Sequence, residues 1–482
     1  MAQRKFILSS EEQHHRMLHT PIPRLVTALA LPTVITQTIS IVYNTADAYF
    51  VSKISNSASA AVGVAFSLMS LIHAFGAGVG MGCGSLLSIK LGAKKNEEAD
   101  RIASCGCILA LGLGALVAIL GLLFTEPLML LFGSTRDMLP HTCPYARYLL
   151  LAAPALCLSF TMLGIMRAEG ETKLSMAATV SGALLNIVLD PILIFRWGMG
   201  TAGAGLATAL SQLFTLLIVL AFFASRKSIV KPSFRKLSRT AGDYLEIVKV
   251  GIPTTFRQGL ATLASALLTR SAAQVSVTPE EAIAAVTISN KVYLMVRNII
   301  LGLGQGFQPV AGYNYGAGNM KRTRQAFWFT TAAGTVLCCA AAGAIALFPY
   351  QVISFFRDDP IIVRIGSRAL LYACAVMPFM AFSTYVNQLY QCLGFKVEAT
   401  ILASCRQGIC FLPLIFTLPR FFAIEGVSMT QPGADLLTFL VSVPFIVFFF
   451  RRRVNVSING TAGGDNGANG NGVGPAFGDT DV

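Results

Sequence analysis

The chain has 482 residues, 54% of them hydrophobic and only 12% charged, with a mean hydropathy of +0.64. A soluble protein carries about a quarter charged residues, so one large soluble core is excluded; the apolar residues instead form blocks of about 20, the length of a bilayer crossing. The net charge of +14 does not make a nucleic-acid binder, because the Lys and Arg residues are scattered over short connections and form no single patch.

Residues 1–24 include Arg4, Lys5, Glu11, Glu12, His14, His15 and Arg16 and hold no apolar stretch before Pro21. They read as a cytoplasmic segment and not as a secretory signal. The first crossing, 25–52, contains Pro32, Gln37, Tyr43 and Asp47. Five more follow at 58–88, 102–124, 142–166, 174–196 and 200–225. The second carries the glycine run 76-GAGVGMGCG-84, the fifth Asn186, Asp190 and Pro191, and the sixth Thr208. A basic connection, 226–242, then divides the chain.

The second set of crossings is predicted at 244–272, 282–312, 325–349, 366–392, 397–419 and 423–450. It includes Pro253, Arg257 and Gln258, then Lys291 and Arg297 ahead of 302-GLGQGFQP-309, then Asn387 and Arg406. Residues 451–482 form a Gly- and Asn-rich cytoplasmic tail with little to bury, expected to be disordered. The domains expected are thus an N-lobe over 25–225, a linker over 226–242 and a C-lobe over 243–450.

Counting Lys and Arg in alternate connections gives 23 on one side and nine on the other. The positive-inside rule then puts both termini in the cytoplasm. The eleven cysteines show no CxxC or Cys/His spacing, so they read as small buried hydrophobes, with no metal or cofactor implied.

The two halves repeat. A shift of 224 residues lays Gly78, Gly80 and Gly82 on Gly302, Gly304 and Gly306. It also lays Gly92-Ala93 on Gly316-Ala317, Pro154 on Pro378 and Gly170 on Gly394. Near the start the shift is 221, with Pro32 over Pro253 and Gln37 over Gln258. Proline and glycine constrain the backbone, so a shared spacing implies a shared fold. An even number of helices per repeat makes the halves parallel around an axis along the membrane normal, the plan of alternating-access transporters. Pro32, Pro191 and Pro253 are candidate bending points, and the glycine runs suit close helix packing.

A charge at mid-bilayer costs at least ~2.5–3.5 kcal/mol, so each one needs a reason. Asp47 lies six residues before Lys53, and Asp190 six before Arg196. Both therefore sit roughly 9 Å below the outer boundary, and Thr208, eight residues past Gly200, about 12 Å. Asn186 precedes Asp190 by one turn and shares its face. Two carboxylates, an amide and a hydroxyl at one level suit Na⁺ or a carboxyl that carries a proton. In the second half the intramembrane charges are basic: Arg257, Lys291, Arg297 and Arg406. His73 and His141 are isolated and read as structural. Tyr43, Gln37, Gln258, Lys291, Arg297 and Asn387 are the candidates to line a substrate cavity.

The stretches 31-LPTVITQTISIVYNTADAYFVSKI-54, 91-LGAKKNEEA-99, 186-NIVLDPILIF-195, 198-GMGTAGAGLATALSQ-212, 302-GLGQGFQPVAGYNYGAGN-319 and 425-EGVSMTQPGADLLTFL-440 together resemble the multidrug and toxic-compound extrusion (MATE) family, in particular its MepA-like bacterial branch. The resemblance implies an all-α membrane protein of twelve transmembrane helices in two pseudo-symmetric six-helix lobes around a central cavity. It also implies efflux of cationic or amphipathic compounds coupled to H⁺ or Na⁺, with the cation site carried over onto Asp47, Asn186, Asp190 and Thr208. Other branches place acids in helices 7 and 10, where this chain offers Arg257 and Asn387; no ion site is expected there.

The expectation is a secondary antiporter for small organic molecules, monomeric and in contact with membrane lipid, in a bacterial inner membrane. The alternative is a flippase for lipid-linked saccharides, which would use the basic residues on a diphosphate. An enzyme is not expected, since no intramembrane His/Asp or Ser/His set or metal spacing occurs.

Overall fold

The computed structural model describes residues 10–225, 228–276 and 278–461. Among these the order is α1 (Ser10–His19), α2 (Ile22–Ser52), α3 (Asn56–Gly92), α4 (Asn96–Leu123), α5 (Thr125–Leu131), α6 (Leu139–Ala168), α7 (Thr172–Pro191) and α8 (Thr201–Ala224). The second half follows with α9 (Ala241–Val275), α10 (Pro279–Gly316), α11 (Met320–Leu347), α12 (Pro349–Ser354), α13 (Pro360–Cys392), α14 (Lys396–Ser404) and α15 (Phe411–Thr461). Single π turns lie at Ile192–Arg196 and Cys405–Ile409. No strand occurs among the described residues.

Ten stretches of the described residues are long and apolar enough to cross a membrane. The last, Lys396–Arg451, is 56 residues long and turns at Ala423, whose φ of 47° and ψ of −127° interrupt α15; it makes two crossings. α9 completes the set. It is 35 residues long but carries Asp243, Glu246, Lys249, Arg257 and Arg270, which lower its hydropathy. Twelve crossings in two sets of six result.

The repeat is visible in the helix ends. Shifted by 224 residues, Gly92 falls on Gly316, α4 falls on α11 from first residue to last, and Ala168 and Thr172 fall on Cys392 and Lys396. Several helices begin earlier than their apolar blocks: α4 at Asn96 and α13 at Pro360, where Asp359 Oδ1 accepts from Ile361 N at 2.9 Å. The first turn of α4 is polar (Asn96, Glu97, Glu98), which hydropathy does not register, and α13 is started by its Asp359 cap. The short α5 and α12, also repeat mates, were not expected. α15 is helical to Thr461; the rest of the expected disordered tail, residues 462–482, lies outside the described residues.

By internal packing the chain divides into residues 1–442 and 443–482, the described part of the latter being the end of α15. Within the first unit, α6 packs against α3, α4 and α8, and α13 against α10 and α11. Rows of exposed apolar side chains on the repeat mates α4 (Leu116, Ile119, Leu120, Leu123) and α11 (Val336, Leu337, Leu347) are what lipid-facing surfaces require.

The halves meet through α3 with α9, α2 with α10, and α3 with α10. The glycine runs make these contacts. A Cβ on Gly82 would fall 3.0 Å from Gly251 N of α9, and one on Gly302 would fall 2.8 Å from Val34 Cα of α2. Gly80 faces its own half instead, 2.7 Å from the Phe160 carbonyl by the same construction. Alternate glycines thus serve two neighbours, as small-residue membrane interfaces do. Thr33 Oγ1 adds a 2.6 Å hydrogen bond to the Gly302 carbonyl.

We call inner the end that carries α1 and the turns at 93–95, 169–171 and 317–319, and outer the opposite end. No α2 residue between Thr33 and Val51 is buried, and none of α9 between Thr254 and Ala264. The halves are therefore joined at the inner end and part toward the outer one. α2 and α9 run as unbroken helices through Pro32 and Pro253.

Candidate functional site

In the first half the structure brings Asp47, Asn186, Asp190 and Thr208 together. Asp190 is fully buried, with Asn186 and Thr208 at 2% and 3% exposure. Asn186 Nδ2 donates to Asp190 Oδ1 at 3.4 Å across one helical turn, and Asp47 is near enough for its charge to act on Asp190. Pro191 ends α7 directly after Asp190, and the π turn begins at the next residue.

A fifth residue, Tyr145 of α6, joins them. Its hydroxyl lies between the Asp47 carboxyl and Thr208, within reach of both. Gly205 permits this approach of α6 to α8, since a Cβ there would lie 2.7 Å from the Tyr145 carbonyl. Three oxygens in the cluster, Asp47 Oδ1, Asp190 Oδ2 and Asn186 Oδ1, are buried without a hydrogen-bond partner. Leaving buried acceptors unpaired is costly, and a cation or a proton is what would satisfy them. No group of three or more His, Cys, Asp or Glu that could hold a metal ion occurs among the described residues, so a metal here would depend on the amide and hydroxyl oxygens as well.

The cavity candidates separate. Tyr43 lies one turn before Asp47 and feels its charge; Gln37 and Gln258 are half-buried on α2 and α9, and Lys291 is exposed. Asn387 sits elsewhere, donating to the Ala399 carbonyl at 2.7 Å and tying α13 to α14. His73 stacks edge-on against Phe160 with ring centroids 4.8 Å apart.

Charge in the second half is not purely basic. Asp435 of α15, 2% exposed, pairs with Arg406 through Nε to Oδ1 at 2.6 Å. Tyr293 of α10 hydrogen-bonds both partners, Gln431 Nε2 donates to Asp435 Oδ1 at 3.3 Å, and the Arg406 guanidinium lies 5.7 Å from the Tyr293 ring centre. A charged pair of this depth needs such added hydrogen bonds to offset desolvation. Asp435 corrects the expectation that acidic groups are confined to the first half.

At the inner end Glu169, 1% exposed, receives Ser228 Oγ at 2.6 Å and Val230 N at 3.1 Å on Oε1. Burial pushes its carboxyl up to about 8 against the pull of those bonds, and repulsion from Glu171 adds to the rise. Gln13 of α1 donates to the Glu169 carbonyl at 2.6 Å. The following linker is held on α4: Lys231 N donates to Asp100 Oδ1 at 2.7 Å, and Ser233 N to Ser104 Oγ at 2.9 Å.

Comparison with known proteins matches the MatE family model twice, over residues 32–192 and 253–417, one match per half. The multidrug export protein MepA of Staphylococcus aureus (strain NCTC 8325 / PS 47) is 27% identical over 450 residues, covering 92% of this chain and 98% of its own. The protein of the same name from Staphylococcus haemolyticus (strain JCSC1435) is 26% identical over 447 residues, with the same coverage. Among solved structures, an outward-facing conformation of a multidrug resistance MATE family transporter of the MOP superfamily superposes with a TM-score of 0.85. It is 26% identical and covers 92% of this chain and 98% of its own.

Proposed function

The chain belongs to the MatE family of multidrug export transporters, and from that premise we propose that it is an antiporter exchanging small organic compounds for H⁺ or Na⁺. Its expected setting is a bacterial cytoplasmic membrane, with both termini on the cytoplasmic side, the lobes at 25–225 and 243–450, and the protein acting as a monomer. The observation that carries the coupling reading is the pair Asp47 and Asp190, close together with an unpartnered oxygen on each.

Two carboxylates held that close in a water-poor site repel strongly unless a cation or proton accompanies them. α2 links this event to the opposite half. It carries Asp47 near its outer end and the Thr33–Gly302 contact 14 residues earlier, roughly 21 Å along the helix. A ligand moves a two-state equilibrium only through different affinities for the two states. Cation binding at the acids would favour one packing of α2 on α10, and a substrate that prefers the other packing would exchange against it.

The test is uptake of the cationic dye rhodamine 123 into proteoliposomes holding the full chain, under separately imposed pH and sodium gradients. Whichever gradient drives accumulation identifies the coupling ion. Asp190→Asn is expected to abolish gradient-driven uptake at unchanged protein yield; full uptake by that variant would remove the coupling reading.

A further inference from the structure

Three guanidinium groups in the second half, Arg257 of α9, Arg297 of α10 and Arg406 of the π turn, lie close enough for each to act electrostatically on another. Among the described residues one buried carboxylate, Asp435, accompanies them, and its ion pair is with Arg406. Arg297 is 5% exposed, and the Nε of Arg257 and of Arg297 are both buried with no hydrogen-bond partner. No ion pair to either residue occurs among the described residues.

The placement is central to the membrane. Arg297 is at the midpoint of the 38-residue α10, Arg257 stands 16 residues into α9, and Arg406 ten residues beyond the start of α14. Side chains at such depths cannot reach the interfaces by extending along the helix, as basic residues near helix ends do. The Nε of Arg257 and of Arg297 each remain without an acceptor, in a site where a buried unpaired donor is costly. Arg presents a planar fork of donors that fits carboxylate and phosphate oxygens two at a time.

We propose that Arg257 and Arg297, flanked by the Arg406–Asp435 pair, form an oxyanion subsite that takes a carboxylate or phosphate group of an organic ligand. Asp435 and Tyr293 fix Arg406 in place and leave the other two guanidiniums to the ligand. The proposal rests on the transport reading and narrows its substrate class to molecules bearing an oxyanion beside their apolar or cationic part. Its chemistry is the same whether the oxyanion belongs to a soluble compound or to a lipid headgroup.

Equilibrium binding separates this subsite from the coupling reading, because it requires no transport. The probes are rhodamine 110, a free carboxylic acid, and rhodamine 123, its methyl ester. Their fluorescence anisotropy would be measured on the full chain in phosphatidylcholine nanodiscs, with and without phosphatidylglycerol. The wild type is expected to bind the free acid about tenfold more tightly than the ester. Arg297→Gln and Arg257→Gln should each reduce that preference to within about twofold. Arg297→Lys, which keeps the charge but not the fork, should retain an intermediate preference and also shows that position 297 tolerates substitution. If the preference survives phosphatidylglycerol, the ligand is a soluble oxyanion; if phosphatidylglycerol removes it in the wild type, a lipid headgroup occupies the same arginines. Equal affinity for the two dyes in phosphatidylcholine, no binding of the free acid, or a preference insensitive to both Gln variants overturns the proposal. Loss of gradient-driven transport with the preference intact would count against the antiport reading alone.

Discussion

Gly92 and Gly316 hold the inner end of the two halves together by the same contact made twice. Gly92 of α3 rests on the backbone of Tyr313 in α10, and Gly316 of α10 rests on the backbone of Ile89 in α3. The 224-residue shift exchanges the two contacts, so the pseudo-two-fold axis passes between them. A Cβ on either glycine would lie 3.0 Å from the facing Cα and closer still to the facing carbonyl.

Gly92→Ala and Gly316→Ala should therefore act alike, since each forces the same pair of backbones apart and overpacking of this kind costs ~1–3 kcal/mol. Amide exchange in segments 86–96 and 312–320 should rise in both variants, and transport should fall about tenfold. Exchange left at the wild-type rate in either variant would show that the inner contact is not what closes this end.

Ala423 holds a backbone conformation that the first half gives to glycine, at Gly200, one residue off the 224-residue shift. Its φ of 47° and ψ of −127° nearly match the 57° and −133° of Gly200, and both residues open the last crossing of their half. For a residue with a Cβ this region costs of order 1–3 kcal/mol. Ala423→Gly should raise the thermal midpoint in detergent by relieving about 1 kcal/mol, and Gly200→Ala should lower it by a similar amount. No atom lies within 4 Å of a Cβ built at Gly200, so any loss there reports backbone strain and not a clash. A lower midpoint for Ala423→Gly would refute the assignment.

The layout of the chain was legible because a bilayer forces long apolar blocks and the repeat fixes their pairing. The convergence of Asp47 with Asp190 was legible through depth along each helix. Tyr145 obeys the same arithmetic, six residues from the outer start of α6, but an uncharged side chain raised no question of desolvation and was passed over. Asp435 was hidden differently. It follows the small and polar run 428-SMTQPGA-434, which masks the depth of an acid that α15 buries at mid-crossing. The π turn under Arg406 left no local signal, since a shift from i−4 to i−5 bonding is decided by packing. α1 did leave one: Ser10 and Gln13 stand at capping-box spacing.

Glu169 makes docking of the linker pH-dependent. The folded protein holds the Glu169 proton more tightly than an exposed glutamate does, with burial carrying the value from 4.5 to about 8. Its contribution is complete below pH 4.5 and is lost as pH rises through about 8. Of the groups around it, Glu171, itself raised by burial, repels the charged form, while the hydrogen bonds from Ser228 and Val230 favour that form and offset part of the rise. Proteolysis within 228–239 should be slow at pH 6 and accelerate toward pH 9. Glu169→Gln should flatten that dependence while staying protected at both values. A wild-type rate that is constant across this range would mean the carboxyl is not what holds the segment.

Arg406 and Asp435 supply the sharpest stability contrast. Both are buried, at 11% and 2% side-chain exposure, so removing one leaves the other charged, desolvated and short of a partner. Asp435→Asn should cost about 3–5 kcal/mol, the usual effect of breaking a buried pair from one side, and should add a third uncompensated guanidinium to the cluster. Arg406→Met strands Asp435 instead, but Tyr293 and Gln431 still donate to the carboxylate, so its cost should be smaller. Combining Arg406→Met with Asp435→Asn removes both charges and should recover much of the loss, because the desolvation of the pair disappears along with its attraction. Thermal midpoints of the two single variants and the double variant in one detergent decide the matter. A double variant whose loss equals the sum of the single losses would show that the two side chains are not coupled.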